Sequence, residues 1–70
     1  MRVSARNQLK GKVKDIKKGA VNAEVVLEVG GGVELTSVIT LESLESLGLD
    51  VGNTAYAVIK ASNIMVGIDH

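Results

Sequence analysis

The chain predicts an all-β fold with one short helix, and three observations carry that expectation. Two runs of strict alternation flank a glycine triplet, the mark of paired half-buried strands. Leucines recur every third residue in one stretch only, at Leu41, Leu44 and Leu47. The 70 residues are 46% hydrophobic yet hold no Phe or Trp and a single Tyr, so the apolar content is the Val, Ile, Leu and Ala that suit small, closely packed sheets.

The first strand is expected around Leu9, Gly11 and Val13, which share one parity, with Lys17-Lys18-Gly19 as the turn that follows. From Val21 to Val29 the odd positions Val21, Ala23, Val25, Leu27 and Val29 form one face, against Asn22, Glu24, Val26 and Glu28. Gly30, Gly31 and Gly32 then turn the chain into a third strand, with Val33, Leu35, Ser37 and Ile39 opposed to Glu34, Thr36, Val38 and Thr40. A helix follows over the leucine stripe, opened by Thr40 as N-cap and closed by Gly48. So short a helix does not hold in isolation, and its leucines are expected to cover the open end of a barrel. Asp50, Gly52 and Asn53 turn the chain into a fourth strand through Ala55, Ala57 and Ile59. After Ala61-Ser62-Asn63, the run Ile64 to Ile68 reads as a fifth. Five short strands with a helix between the third and fourth is the layout of an OB-like barrel, here as one domain over residues 1–70.

A domain of this size buries only about 60% of the surface its unfolded chain exposes, and a core without Phe or Trp is lighter still. Self-association is therefore expected, with strands shared between subunits and with Val26, Val38 and Val58, which interrupt otherwise polar faces, as candidate contacts.

Composition removes many functions. There is no Cys, and the lone His is His70, so no thiolate metal site, histidine cluster or catalytic triad can be assembled, and His70 is given no role. Glu24, Glu28 and Glu34 read as solvated outward residues, and no serine has an internal base to activate it. Eight Lys plus Arg balance eight Asp plus Glu, which argues against nucleic acid and membrane partners even with the run Lys10, Lys12, Lys14, Lys17 and Lys18. No apolar run is long enough for a membrane span and the N-terminus is too polar for a signal peptide, so a cytoplasmic protein that is not an enzyme is expected.

Two segments stand out against this background. Ser4-Ala5-Arg6-Asn7-Gln8 and Lys60-Ala61-Ser62-Asn63 concentrate guanidinium, ammonium, hydroxyl and amide donors at strand ends. A tetrahedral oxyanion, which offers no proton of its own, needs such a set of donors. Thr40 and Ser43 add hydroxyls at the helix start. From the residues alone a plainer reading stays open, with Arg6 and Lys60 as surface charges, Thr40 as a cap and Ser62-Asn63 as a turn.

The stretches SARNQLKGKV, KKGAVNAEVVLEVGGG, ITLESLESLGLDVG and AVIKASNIMVG together resemble the molbindins, small cytoplasmic molybdate-binding proteins made of one Mop domain and related to TOBE modules. The resemblance implies a homo-oligomer, a hexamer built as a trimer of dimers, with molybdate or tungstate as ligand, no cofactor, and a role in molybdenum storage and homeostasis. It implies an interface site drawing Ser4, Ala5 and Arg6 from one subunit and Lys60, Ala61 and Ser62 from another, completed by Thr40 and Ser43 despite Glu42 between them. Lys18, Gly19 and Asn22 are the choice for a second site near the threefold axis. A ligand-free oligomerisation module and an OB-type nucleic-acid binder are the alternatives.

Overall fold

A computed structural model describes residues 1–69, and His70 lies outside the described residues. The elements are β1 (Asn7–Lys18), β2 (Asn22–Glu28), β3 (Glu34–Thr40), the helix α1 (Leu41–Leu47), β4 (Thr54–Ile59) and a single 3₁₀ turn, Ala61–Asn63. The strands form one antiparallel sheet in the order β3-β2-β1-β4.

The length of β1 explains the topology. Its first half pairs with β4, from Asn7 opposite Ile59 to Lys12 opposite Thr54, and its second half pairs with β2, from Lys12 opposite Glu28 to Lys18 opposite Ala23. Lys12 thus has a partner on each side, and the sheet curls there into a half-barrel. Two devices make the curl. At Gly11 a Cβ would collide with the carbonyl oxygen of Glu28 and stand 3.0 Å from its carbonyl carbon, so only glycine lets β2 approach this closely. Between Val13 and Asp15 the register shifts by one residue, a β-bulge that bends and twists the strand.

The bulge also explains the core. Leu9, Gly11 and Val13 point one way, and the extra residue returns Ile16 to that same side, opposite Val25. Val13, Ala23, Val25, Leu27, Leu44 and Ala57 are buried, with Ile16, Leu35, Ile39, Leu41 and Leu49 packed against them. On the outer face, the register sets Lys17 opposite Glu24 and Lys12 opposite Glu28, while Lys14 forms an ion pair with Glu34. The lysine run is therefore interleaved with carboxylates of the neighbouring strands, as a solvated face requires.

The helix sits where the leucine spacing placed it. Thr40 Oγ1 accepts the Ser43 N–H at 3.0 Å, and Gly48 closes the helix in the left-handed region, its N–H donating to the carbonyls of Glu45 and Leu44. Only Leu44 of the stripe is buried. Leu41 is half-buried and Leu47 exposed, because a seven-residue helix gives the sheet one turn of contact.

Two expectations are corrected. The sheet has four strands, and residues 64–68 form none: Met65, Val66 and Ile68 are 94%, 91% and 86% exposed. An apolar run becomes a strand only where an edge is available to pair with, and this segment lies on no edge of its own sheet. Val21, expected on the buried face, precedes β2 and is exposed, its carbonyl instead accepting the Leu41 N–H that ties the helix to the sheet. Of the three valines on polar faces, Val38 and Val58 are exposed and Val26 is half-buried.

Candidate functional site

The pairing of Asn7 with Ile59 decides the position of the site. It brings the residues just before β1 beside those just after β4, and Ser4, Ala5, Arg6, Val58, Lys60, Ala61 and Ser62 line one open groove. The two segments singled out in the sequence thus meet within one chain, where the resemblance implied that different subunits supply them. Sequence reasoning did not assign Val58 to the site. It alternates outward on β4, and only the register with Gln8 reveals that it floors the groove.

The groove is cationic and rich in donors. Arg6 and Lys60 are its charged lining residues, no carboxylate lies among the lining residues, and among the described residues neither cation is in an ion pair. The hydroxyls of Ser4 and Ser62 add neutral donors. Ser4, Arg6, Lys60, Ala61 and Ser62 are exposed, so the single chain forms an open hollow rather than an enclosed cavity.

Two amide side chains brace the walls. Gln8 Nε2 donates to the Ala5 carbonyl at 3.0 Å, folding the Ser4–Arg6 segment back onto the start of β1. Asn7 Nδ2 donates to the Ile59 carbonyl at 3.3 Å, at the peptide that leads into Lys60. The 3₁₀ turn beyond is closed by the Asn63 N–H on the Lys60 carbonyl at 2.9 Å.

The other predicted residues lie elsewhere on the chain. Thr40 pairs with Asn22 across β3 and β2, at the opposite end of β1 from the groove. Its hydroxyl is engaged with Ser43, donating to Ser43 Oγ at 2.9 Å while accepting the Ser43 N–H, which is a capping arrangement. Gly19 donates to the Asn22 carbonyl at 2.7 Å and so closes the β1–β2 turn. Lys18 lines a separate shallow hollow with Ile16, Leu49, Asp50 and Val51. Lys18, Gly19, Asn22, Thr40 and Ser43 therefore gather at one end of the sheet and the groove occupies the other. No group of three or more metal-ligating carboxylates, histidines or cysteines occurs among the described residues.

Fold and groove together define a small antiparallel β module of OB-like type, with a donor-rich cationic depression where its first and last strands begin and end. The chain belongs to the TOBE domain family, whose model matches residues 3–66. It is 56% identical over 66 residues to molybdenum-pterin-binding protein 3 of Clostridium pasteurianum, covering 94% of this chain and 97% of that one. Among solved structures it is similar to MopII from Clostridium pasteurianum, with a TM-score of 0.90 and 52% identity over 96% of this chain and 100% of that one. It is also similar to a structure of the cytoplasmic molybdate-binding protein ModG with molybdate bound, at a TM-score of 0.93 and 55% identity. In that case 99% of this chain matches 49% of the other, so the chain spans about half of ModG. The resemblance to molbindins drawn from the sequence therefore holds. No helix is long and apolar enough to cross a membrane among the described residues.

Proposed function

We propose that this chain is a single Mop domain that binds molybdate as the intact oxyanion, in the cytoplasm, for molybdenum storage and homeostasis, without catalysing a reaction. The observation that carries the reading is the convergence of Ser4–Arg6 and Lys60–Ser62 on one groove with two cations and no carboxylate among its lining residues. A dianion there accepts charge-assisted hydrogen bonds from Arg6 and Lys60 and neutral ones from the serines and backbone amides. The names and structures of the relatives above support molybdenum as the element carried. The groove has no aromatic ring to stack on a pterin and no carboxylate to hold its amino group, which favours the free oxyanion over a pterin conjugate.

The functional unit in this reading is a homo-hexamer, a trimer of dimers, with the groove completed at subunit interfaces. Two features support assembly. The edges of the half-barrel, β3 and β4, each have one neighbour, and the gap between them is lined by Leu27, Leu35, Tyr56 and Ile59. The exposed apolar run Ile64–Ile68 suits such an edge on a neighbouring copy, where it becomes the fifth strand. An open groove closed by a second chain also excludes water, which strengthens each hydrogen bond to the anion. Thr40 and Ser43 join this site from a neighbouring chain, since on their own chain they sit at the far end of β1. Lys18, Gly19 and Asn22 form the second site in this scheme. Sulfate offers the same charge and acceptors, so selection rests on pocket size, and tungstate, close to molybdate in size, binds as well.

Native mass spectrometry with molybdate or sulfate tests the proposal directly. A hexamer that gains molybdate and not sulfate is expected. Arg6→Ala and Lys60→Ala should keep the hexamer and weaken molybdate binding about 10- to 100-fold, the worth of one hydrogen bond to a charged partner. A hexamer that takes up neither anion would point instead to an oligomerisation module, which the exposed tail supports by itself. A monomer would overturn the shared groove.

A further inference from the structure

The residues ahead of β1 run back over the sheet. The chain bends at Ser4 and again at Arg6, and Gln8 Nε2 pins the Ala5 carbonyl at 3.0 Å, so residues 1–3 leave the line of β1. Met1 reaches the hollow inside the half-barrel, which it lines together with Leu27, Ile39, Leu47, Tyr56 and Val58. These five residues belong to β2, β3, α1 and β4, so Met1 stands at the mouth between the two sheet edges. Val58 also lines the donor groove, which puts residues 1–6 on a path from the groove to the hollow past β4. The segment is lightly held. Among the described residues, no backbone–backbone hydrogen bond ties residues 1–5 to the sheet, and Met1 remains 66% exposed.

We propose that residues 1–6 form an autoinhibitory strap that lies across the mouth of its own half-barrel in the lone subunit. On assembly it swings out and yields its place to residues 64–68 of a neighbouring copy. This rests on the reading of the exposed tail as the strand that completes a neighbour's sheet. The hollow shares Leu27, Tyr56 and Val58 with the gap between β3 and β4, so Met1 and an incoming tail compete for one apolar surface. The contest is unequal. About a third of one methionine is covered in the closed strap, which by area is a bias of about two- to fivefold toward closure. The tail offers Ile64, Val66 and Ile68 on one alternating face, and a backbone that can pair with an edge strand. The strap therefore shields the apolar mouth while subunits are dilute and gives way as their concentration rises. Ser4 and Arg6 ride on it, so its two positions give these donors different neighbours.

The chain has two methionines, Met1 and Met65, and one aromatic ring, Tyr56, so NMR of methyl-labelled methionine reads strap and tail separately. Val66→Asp, at a position 91% exposed, blocks docking of the tail and holds the full chain as a lone subunit. In that protein the Met1 methyl signal should be displaced by the Tyr56 ring and return to the free-methionine position in the added presence of Tyr56→Leu, with Met65 at the free position in both. In the assembled wild type, Met1 should move to the free position. Deleting Arg2 and Val3 shortens the reach of the strap by about 7 Å and keeps Ser4–Arg6. A dilution series followed by native mass spectrometry should then show that protein assembling at a concentration about two- to fivefold below the wild type. An unchanged or higher concentration, or a Met1 signal at the free position in Val66→Asp, would overturn the strap and leave assembly standing. Continued assembly of Val66→Asp would overturn the tail as competitor. A monomer at every concentration, in wild type and deletion alike, would overturn the assembly reading itself.

Discussion

Replacing Gly11 by alanine tests the close approach on which the curl of the sheet depends. The added methyl would collide with the Glu28 carbonyl oxygen, stand 3.0 Å from its carbon and lie 3.1 Å from Val29 Cγ1. Two of these three neighbours are backbone atoms of the β2 strand end, so no rotamer change relieves the contact and the strands must separate. Overpacking of this kind costs about 1–3 kcal/mol, partly offset by the roughly 0.5–1 kcal/mol that alanine gains over glycine within a strand. A net loss of about 1–2 kcal/mol is a large share of the roughly 4–10 kcal/mol available to a domain of this length. It corresponds to a fall of about 4–16 °C in the thermal midpoint. Urea unfolding and calorimetry at one protein concentration measure both quantities, since assembly makes the midpoint depend on concentration. An unchanged or raised midpoint in Gly11→Ala would refute the claim that this position is reserved for glycine by contact.

Other perturbations separate roles that the sequence leaves merged. Thr40→Ala removes the cap on α1 and should cost about 1 kcal/mol of stability; a parallel loss of molybdate affinity in titrations would show that the hydroxyl also serves a ligand across an interface. Val26→Asp, on the half-buried outer face beside Thr36 and Asp15, should dissociate the oligomer, and an unchanged elution volume on a sizing column would refute that placement. Lys14 titrates above its ordinary value, chiefly through its hydrogen bond to Glu34 and then through the charge on that carboxylate. A raised folded-state value means that the pair's contribution is intact at neutral pH and is lost as the pH climbs past the usual lysine range. Glu34→Gln should return Lys14 to its ordinary titration, as followed by side-chain NMR, and an identical midpoint in both proteins would refute the pairing.

Local signals in this chain were legible because local rules govern them. The hairpin from Asn22 to Thr40, the cap at Thr40 and the stop at Gly48 follow from alternation, side-chain acceptors and left-handed backbone, each decided within a few residues. The bulge after Val13 was hidden, since Leu9, Gly11, Val13 and Ile16 change parity without a glycine or proline to announce it. The tail was legible as apolar and extended but not as unpaired, because pairing belongs to a sheet edge and no sequence pattern names the edge. At the site, the donor chemistry of Ser4–Arg6 and Lys60–Ser62 stood out by itself. The resemblance implied that different subunits bring them together, and their closeness within one chain came only with the pairing of Asn7 with Ile59. The bracing by Asn7 and Gln8 left no sequence signal beyond two amides at the start of a strand.

The bulge in β1 carries a consequence for how this fold can vary. Removing Lys14 would restore unbroken alternation, and every inward side chain from Leu9 to Ile16 would still face inward. The composition of the core would be the same and its shape would not, because the local bend would relax and the edges of β3 and β4 would move apart. Curvature and core identity are thus separate settings in this strand. A one-residue insertion or deletion at that point tunes the width of the half-barrel as a hinge pin sets a clasp, leaving the residues at both ends of the sheet as they were.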